Sequence, residues 1–488
     1  MKKIINIFLV LFLIFILTSC IDENPDLNND DGDDTEEMDN IINIYTLNDF
    51  HGAIFEDAAA REIGISKIGQ FLKSEKEKKP DNTIILSAGD MFQGTALSSL
   101  TRGRVVVDLM NYIGFDAMAI GNHEFDWGVS EITRYVDGEE ENGEADFDFL
   151  GANIFHLPTD EYVDWAKPYT ILERGDLKIG ILGLIGETLT SSIIGYISKD
   201  FVFTSQMDAI KKYVPIMRNN EGADIVIVVS HEDTRNLNYK IASLSGDSFV
   251  DAVVNGHTHN YYVFEENREH GAPYVGVQSG SNGKFIGHLV LELDLENKKV
   301  IDAAAGFVEE SKLVKESSGV SSILNNYQEY IDISNELLGI ASQGVSKDRG
   351  VIWAADTMQG FDESDFGLVN AGGIRSAGFP INAGDSIYYG SVFKMMPFEN
   401  TVITGLYTGK QIKSLATSPG DIKFSSNFNI SSINDEELYK LAIIDYVFYR
   451  DEQFFMQGVE ITNHDELFRD LLINQIKESV EKKGKWYL

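Results

Sequence analysis

The chain has 488 residues and a formal net charge of −37, from 40 Lys and Arg against 77 Asp and Glu. Its length exceeds one ordinary core and predicts two or three domains, and a hydrophobic content of 43% excludes wholesale disorder. The charge argues against a polynucleotide or an anionic lipid surface as main partner, because long-range repulsion opposes approach to either. A small phosphate-bearing substrate would need local neutralisation, which bound divalent cations supply.

In chain order, residues 1–20 read as an export leader. Lys2 and Lys3 open it, an unbroken apolar run from Ile7 to Leu17 follows, and Leu17-Thr18-Ser19-Cys20 closes it. The run is too short to span a bilayer comfortably. The closing tetrapeptide resembles a bacterial lipobox, which implies cleavage before Cys20 and lipidation of that residue; a free structural thiol is the alternative. Cys20 is the only cysteine, which excludes disulfides and cysteine ligands. Residues 21–40 are acidic and nearly devoid of apolar side chains, so they read as a solvated, self-repelling tether. Calcium binding there is the alternative, but the spaced Asp/Asn, Gly and closing Glu of an EF-hand loop are missing. The expected location is the cell envelope, outside the cytoplasm, with membrane contact only through the lipid.

From Ile41, apolar runs alternate with amphipathic stretches, the pattern of an α/β region with a mostly buried sheet. IINIYTL, TIILSA, AMAI, ILGLIG, DIVIVVS and DAVVNG are the expected strands. GISKIGQFLKSEKEKK and TSQMDAIKKYVPIMRNN have helical apolar spacing and read as covering helices, the first with lysines that suit a helix C-terminus. DGEEENGEADFD, at 137–148, reads as an exposed loop. FIGHLVLELDL and IDAAAGFVE, joined by a turn at Glu296-Asn297-Lys298, close a first domain spanning 41–310. A long helix is expected from Val320 to Leu338 within a linker at 311–338. A mixed second domain covers 339–488, with a loop from Asn370 to Arg375, strand pairs around SIYYGSVFKMM and TVITGLYTG, and a C-terminal amphipathic helix, DELFRDLLINQIKESVEKK.

Five of the nine histidines fall in polar bursts where apolar runs stop: Asp49-Phe50-His51, Gly89-Asp90, Gly121-Asn122-His123-Glu124, Ser230-His231 and Gly256-His257-Thr258-His259. Two divalent ions that polarise a phosphate and activate water require imidazole, carboxylate and amide groups converging from separate loops on a rigid sheet. Asp49 and His51 are two apart, as are His257 and His259, so on extended backbone each pair points one way and can grip one ion. Asp90, free of its strand, can bridge two ions roughly 3.5 to 4 Å apart. Asn122 offers a neutral oxygen and His231 another imidazole. Any one of these residues alone reads more simply as a capping Asp or an ordinary hydrogen-bonded His; together, at the ends of successive runs, they do not. A protonated His123 beside the ions can stabilise phosphoryl charge or protonate the leaving oxygen, and the carboxylate of Asp126 can fix its tautomer. The alternative is a histidine that packs the turn.

NDFHG, SAGDMFQG, GNHEFDWG, VSHEDT and NGHTHN, in that order, resemble the signature blocks of the calcineurin-like metallophosphatases, and specifically of the 5'-nucleotidase family. VNAGGIRS and MPFENTV resemble that family's C-terminal blocks, and the whole resemblance covers about residues 41–415. It implies an α/β fold: an N-terminal four-layer metallophosphatase β-sandwich flanked by helices, plus a C-terminal α+β 5'-nucleotidase-type domain. It implies that Asp49, His51, Asp90 and His259 hold one ion and that Asp90, Asn122, His231 and His257 hold the other, with Asp90 bridging and His123 and Asp126 as the catalytic dyad. His259 stands where relatives often have glutamine, and imidazole there suits zinc, manganese or iron ahead of magnesium or cobalt. Arg375 would bind phosphate from the loop that also holds Asn370 and Gly373, its glycines letting amides approach an anion. A surface arginine after a turn is the bland reading. Asn400 would face substrate.

The resemblance departs at the nucleoside pocket. Relatives sandwich the base between two aromatic rings, one of them ahead of a Gly-Gly-Asp-Gly-Tyr block. Phe424 in IKFSSN and Tyr446 occupy the corresponding places, but Arg450-Asp451-Glu452-Gln453-Phe454 replaces the glycine-rich block, and no arginine lies between Arg375 and Arg450. Ordinary aromatic core is the alternative for both rings, and Glu452 is a candidate for the ribose. The expected activity is hydrolysis of nucleoside 5'-phosphates by in-line attack of water activated at the ion pair, in a site between domains with the 320–338 helix as hinge. The altered aromatic region also admits a 2',3'-cyclic nucleotide or a nucleotide sugar. A non-catalytic surface binding protein is the reading from another class, and the retained ligand set with His123 speaks against it.

Overall fold

The computed structural model describes residues 39–232, 235–269, 271–418 and 420–487. The leader, Cys20 and the tether as far as residue 38 lie outside the described residues. Among those described, no helix is long and apolar enough to cross a membrane.

The apolar runs of the first half are the strands Ile41–Leu47, Thr83–Ser87, Ala117–Ala119, Leu177–Ile185, Ile225–His231 and Ala252–Asn255. They belong to two six-stranded sheets. One has the order 299–307, 287–294, 41–47, 83–87, 117–119, 148–150, and the other 261–266, 274–279, 252–255, 225–231, 177–185, 169–174. The strands from 41–47 to 148–150, and those from 274–279 to 177–185, are parallel to their neighbours, while the remaining edge strands run antiparallel. Parallel strands must be covered on both faces, which is why these runs are apolar throughout: Ile225 to Val229 have no exposed surface.

Ile42, Ile44, Ile84 and Leu86 from one sheet meet Ile179, Ile181, Ile225 and Ile227 from the other in the space between them. The outer faces carry helices, Ile65–Lys78 and Arg104–Ile113 on the first sheet and Gln206–Ile216 and Arg235–Ala242 on the second. Ile68 and Leu72 of the first helix are wholly buried, each worth about 1.5–3 kcal/mol against exposure. The helix Arg104–Ile113 stops at Gly114, whose φ of +89° lets its N–H fold back onto Met110 O at 2.9 Å. Four layers, helix on sheet on sheet on helix, result.

In the second half a mixed five-stranded sheet has the order 422–424, 366–370, 438–444, 401–408, 459–467. Leu368, Ile403 and Ile443 of this sheet share a core with Val351 of the helix Lys347–Met358 and with Leu472 and Ile476 of the helix Phe468–Lys483. Thr408 opens the helix Gly409–Thr417 with a reciprocal cap to Gln411.

Three stretches depart from expectation. The helix expected over 320–338 is two helices, Ser318–Asn325 and Gln328–Ser334, and Leu337 and Leu338 already belong to a strand, Leu337–Ile340, paired with Ser386–Tyr388. The break falls beside Tyr327, which packs into the first-half core with its hydroxyl on Asp108. SIYYGSVFKMM is extended only over Ser386–Tyr388 and then helical over Tyr389–Met395. Ser391 caps that helix through the Tyr388 N–H at 3.0 Å, and Val392, Phe393 and Met395 bury one face. It therefore does not pair with the strand Thr401–Thr408, whose partners are 438–444 and 459–467. Asp465 to Leu467 extend the strand Val459–Leu467, so the C-terminal helix begins only at Phe468.

Candidate metal centre and the adjoining cavity

Asp49, Asp90, Asn122 and His257 follow the carboxyl ends of parallel strands, and His231 is the last residue of one. Loops at that end are where open α/β sheets hold ligands. The pairs Asp49/His51 and His257/His259 do not lie on extended backbone, as their spacing predicts. Asp49, His51, Asp90, His257 and His259 have φ of 48, 51, 55, 78 and 59°. Their side chains converge because the loops curl onto one another: Asp49 N–H donates to Gly89 O at 3.0 Å and His51 N–H to Asp90 O at 3.1 Å. Left-handed non-glycine residues cost of order 1–3 kcal/mol each, strain that concentrates at functional sites. Gly89, at φ +89°, is required by a close approach as well, since a Cβ there would sit 2.7 Å from Gly121 N.

Two groups of ligand atoms form. Those of Asp49, His51 and His259 lie within 4.8 Å of one another, as do those of Asp90, His231 and His257. His231 Nε2 is 3.2 Å from Asp90 Oδ2 and 3.2 Å from Asn122 Oδ1, which brings Asn122 to the second group. Asp49 Oδ1 and His51 Nε2 both face His259 Nε2, at 3.6 and 3.0 Å.

The donor set fits divalent cations. His51 Nδ1 donates to Gln93 O at 2.8 Å and His231 Nδ1 to Ala88 O at 2.6 Å, so in the neutral rings each Nε2 carries a lone pair aimed at the cluster. Burial holds the His51 imidazole well below its ordinary pKa and brings His259 down to about 4, the neutral forms that metal binding requires. At His231 burial also pulls the pKa down, but Asp90 outweighs it and raises it to about 9. A lone pair facing a carboxylate and an amide oxygen needs either that proton or a cation in its place. Mixed nitrogen and oxygen donors of this kind are ligands for divalent metal ions.

Two buried residues that the sequence pattern left without roles organise the loops. Glu124, 1% exposed, accepts the N–H groups of Asp90, Met91 and Gly121 at 2.9, 2.8 and 2.8 Å. Asn48 donates to Asp49 Oδ2 and to Gly280 O, while its own oxygen accepts from Ser279 N at 2.8 Å. Both lie inside the NDFHG and GNHEFDWG blocks beside the ligand candidates, and that position is the signal the sequence offers for them.

A cavity of about 460 Å³ opens beside the second ligand group, lined by Asp90, His123 and Asp126 from the first half and by Asn370, Arg375 and Tyr446 from the second. His123 N–H donates to Asp90 Oδ1 at 2.8 Å, and His123 Nδ1 lies 2.7 Å from Asp126 Oδ2. Burial depresses the imidazole, yet Asp126 and Asp90 outweigh it and raise its pKa to about 9, a protonated ring at neutral pH. Phe398 stacks on that ring at 5.8 Å and 27°, and the Arg375 guanidinium stands 5.7 Å from the centre of Phe398. Gly373 and Asn400 line the same space, with Asn400 Nδ2 on Asp445 Oδ1 at 2.7 Å. Phe424 is not part of the cavity wall; it stacks on Phe428 at 4.1 Å and 16°. Glu452 does not line it either. Trp127, Tyr196, Phe398, Asp421 and Arg450 do. Phe398 stood inside a recognisable block, whereas Tyr196 and Asp421 belong to no sequence pattern.

The halves are tied together around the cavity. Glu399 forms ion pairs with Arg102, at 2.6 Å, and with Arg469, at 3.7 Å, and Lys394 reaches Asp57 at 2.9 Å. Arg469, 3% exposed on the C-terminal helix, donates to the carbonyls of Pro397 and Phe398 at 3.0 and 3.1 Å. The final helix thus anchors the segment that carries Phe398.

Residues 42–261 match the family Calcineurin-like phosphoesterase, and residues 343–421 match 5'-nucleotidase, C-terminal domain. Residues 42–261 are thus a calcineurin-like phosphoesterase domain and residues 343–421 a 5'-nucleotidase C-terminal domain. The first family is one of hydrolases that use divalent metals. Endonuclease YhcR of Bacillus subtilis (strain 168) is 27% identical over 422 residues, covering 80% of this chain and 34% of that protein. Cell wall protein Lmo0130 of Listeria monocytogenes serovar 1/2a is 24% identical over 438 residues, covering 76% of this chain and 55% of its own length. The chain therefore spans about a third of the first relative and about half of the second. The crystal structure of a 5'-nucleotidase precursor from Thermus thermophilus shares the fold, with a TM-score of 0.72 at 19% identity over 90% of this chain and 96% of that one.

Proposed function

We propose that the protein removes phosphate from nucleoside 5'-phosphates. The observation that carries this reading is the meeting of two ligand groups, the hydrogen-bonded His123–Asp126 pair and Arg375 around one cavity sized for a small phosphoester. Asp49, His51, Asp90 and His259 would hold one divalent ion and Asp90, Asn122, His231 and His257 the other, with Asp90 between them. When bound, the ions supply charge neutralisation and water activation. His123 then stabilises the charge developing on the phosphoryl oxygens or hands its proton to the leaving oxygen, while Asp126 keeps Nδ1 protonated and the ring oriented. Arg375 grips phosphate from the other side, with the 370–373 backbone drawn close by its glycines. Phe398, between His123 and Arg375, excludes water and spaces the two cations. Asn400 and Tyr446 complete the contact with the leaving group.

Phe424 stacks on Phe428 and does not line the cavity, which leaves one ring of the expected aromatic sandwich without support and keeps 2',3'-cyclic nucleotides and nucleotide sugars as a second reading. The relative named as an endonuclease suggests polynucleotides, but the charge of −37 opposes a polyanion. The deciding experiment loads the full chain with manganese or zinc and offers adenosine 5'-monophosphate (AMP), a 2',3'-cyclic nucleotide, a nucleotide sugar and p-nitrophenyl phosphate. The reading predicts that AMP is cleaved with the highest kcat/KM. Preference for either of the other nucleotides would transfer the assignment to it, and uptake of metal without turnover of any would favour a binding protein.

We further propose export and lipid anchoring through Cys20, with residues 21–40 as the tether, a reading in keeping with a relative named as a cell wall protein. Incorporation of labelled fatty acid that disappears in Cys20→Ser is the expected result; equal labelling of both would refute it.

A further inference from the structure

A second cavity, of about 570 Å³, opens on the first half, and Tyr196 and Ile197 belong to its wall and to that of the cavity beside the metal centre. It is built on a three-stranded sheet of order 161–162, 154–156, 201–203 and on the short helix Gly195–Ser198. Tyr162, Trp165 and Tyr196 line it, and the two tyrosines keep 43% and 46% of their surface. The Trp165 ring is fixed from behind by Phe125, edge to face at 6.0 Å and 72°. Open aromatic rings in a cavity of this size are the usual lining of a small-molecule site. The chain's own Lys212 Nζ already lies 5.0 Å from the centre of the Tyr162 ring without lining the cavity. Glu161, Asp164 and Asp200 line it too, whereas no Lys or Arg does. None of the three carboxylates has an ion pair or a side-chain hydrogen bond among the described residues.

This lining selects its occupant by charge. A phosphate or carboxylate would meet three like charges and no base, so anions are repelled. A neutral apolar group would stack on the rings but strip water from the carboxylates with nothing in return. A neutral polyol would give them hydrogen bonds and leave their charge uncompensated. An organic cation meets both demands, because an ammonium group is attracted to the faces of tryptophan and tyrosine and pairs with carboxylates at the rim.

We propose that this cavity binds a small organic cation of the alkylammonium class, held over Tyr162 and Trp165 and paired with Glu161, Asp164 and Asp200. The site takes no part in phosphoryl transfer, and it stands apart from the hydrolase reading because binding can be measured without turnover. Its shared wall at Tyr196 places a bound cation next to the cavity of the metal centre.

The test titrates the full chain by calorimetry with choline, with ethanolamine and with 3,3-dimethylbutan-1-ol, the neutral isostere of choline, at about 0.15 M salt, where diffuse attraction to the net charge is screened. Choline is expected to bind about tenfold or more tightly than its isostere, the size of one cation–π contact combined with one charge pair. Tighter binding of ethanolamine than of choline would support the same class and assign a primary ammonium. Replacing the carboxylates together, by Glu161→Gln, Asp164→Asn and Asp200→Asn, is expected to bring the preference below about threefold with an unchanged unfolding midpoint, since no protein partner is lost. Tyr162→Leu is expected to weaken choline about threefold and to leave the isostere nearly unaffected, and it decides the matter if the triple variant is less stable. Absence of binding by either ammonium compound, or equal binding of the neutral isostere, would overturn the proposal. So would a preference that survives the triple variant, which would mark diffuse attraction to the net charge.

Discussion

Around the candidate metal centre Asp49, Asp90, Asn122 and His231 are at most 1% exposed and sit where parallel strands stop, with His259 keeping 34% of its side-chain surface, whereas on the second-half wall of the cavity Asp421 and Arg450 keep 40% and 36% and come from a loop and a helix end. The first arrangement fixes charge before substrate arrives, which is what electrostatic catalysis requires. The second leaves side chains free to pair with a ligand, and it can change without disturbing the strands. The two walls of the cavity therefore differ in how fully burial encloses their polar side chains.

That contrast can be broken or sharpened by substitution. Asp90→Ala should have the largest effect, lowering turnover by roughly three orders of magnitude, because the proposed reading has this one carboxylate serve both ion positions. Elemental analysis should show loss of metal from both positions, and a variant retaining two ions and full turnover would dissolve the distinction between the two ends. His123→Asn should lower kcat by about 10²- to 10³-fold, the range for a general acid, with metal content near normal. If metal is lost as well, the residue holds the site together instead of acting in it.

Arg469→Met tests the tie between the ends. It removes a buried cation from the carbonyls of Pro397 and Phe398 and from Glu399, and should cost about 3 kcal/mol of stability, read as a lower midpoint in chemical unfolding. An unchanged midpoint would show that the final helix does not anchor the Phe398 segment. Phe424→Leu should have the smallest effect: about 1 kcal/mol from the lost stacking on Phe428, and kcat/KM for AMP within about twofold. A tenfold rise in KM would return this ring to the substrate.

The same contrast explains what could be read from the sequence. The strands and the ligand motifs were legible because a buried parallel strand must be apolar throughout and its end must turn polar at once, so Ile225 to His231 announces both element and ligand. The spacing of Asp49 and His51 expects the pair to converge on extended backbone, whereas left-handed turns bring the two side chains together. The apolar stretch SIYYGSVFKMM reads as strand but becomes helical after Tyr388, where Ser391 Oγ accepts the Tyr388 N–H and Val392, Phe393 and Met395 bury one face. Phe424 is a reasonable candidate by position, but only the packing of Phe428 reveals where its ring goes. Asp421 and Arg450 are invisible as a pair because their contact spans 29 residues of chain and follows no period.

The most direct measurement is the anomalous scattering of manganese in crystals of the full chain. Two peaks roughly 3.5 to 4 Å apart are predicted. One should lie among Asp49, His51 and His259 and the other among His231, His257 and Asn122, with Asp90 between them. No peak at these side chains, in crystals of protein that still hydrolyses phosphoesters, would contradict the account.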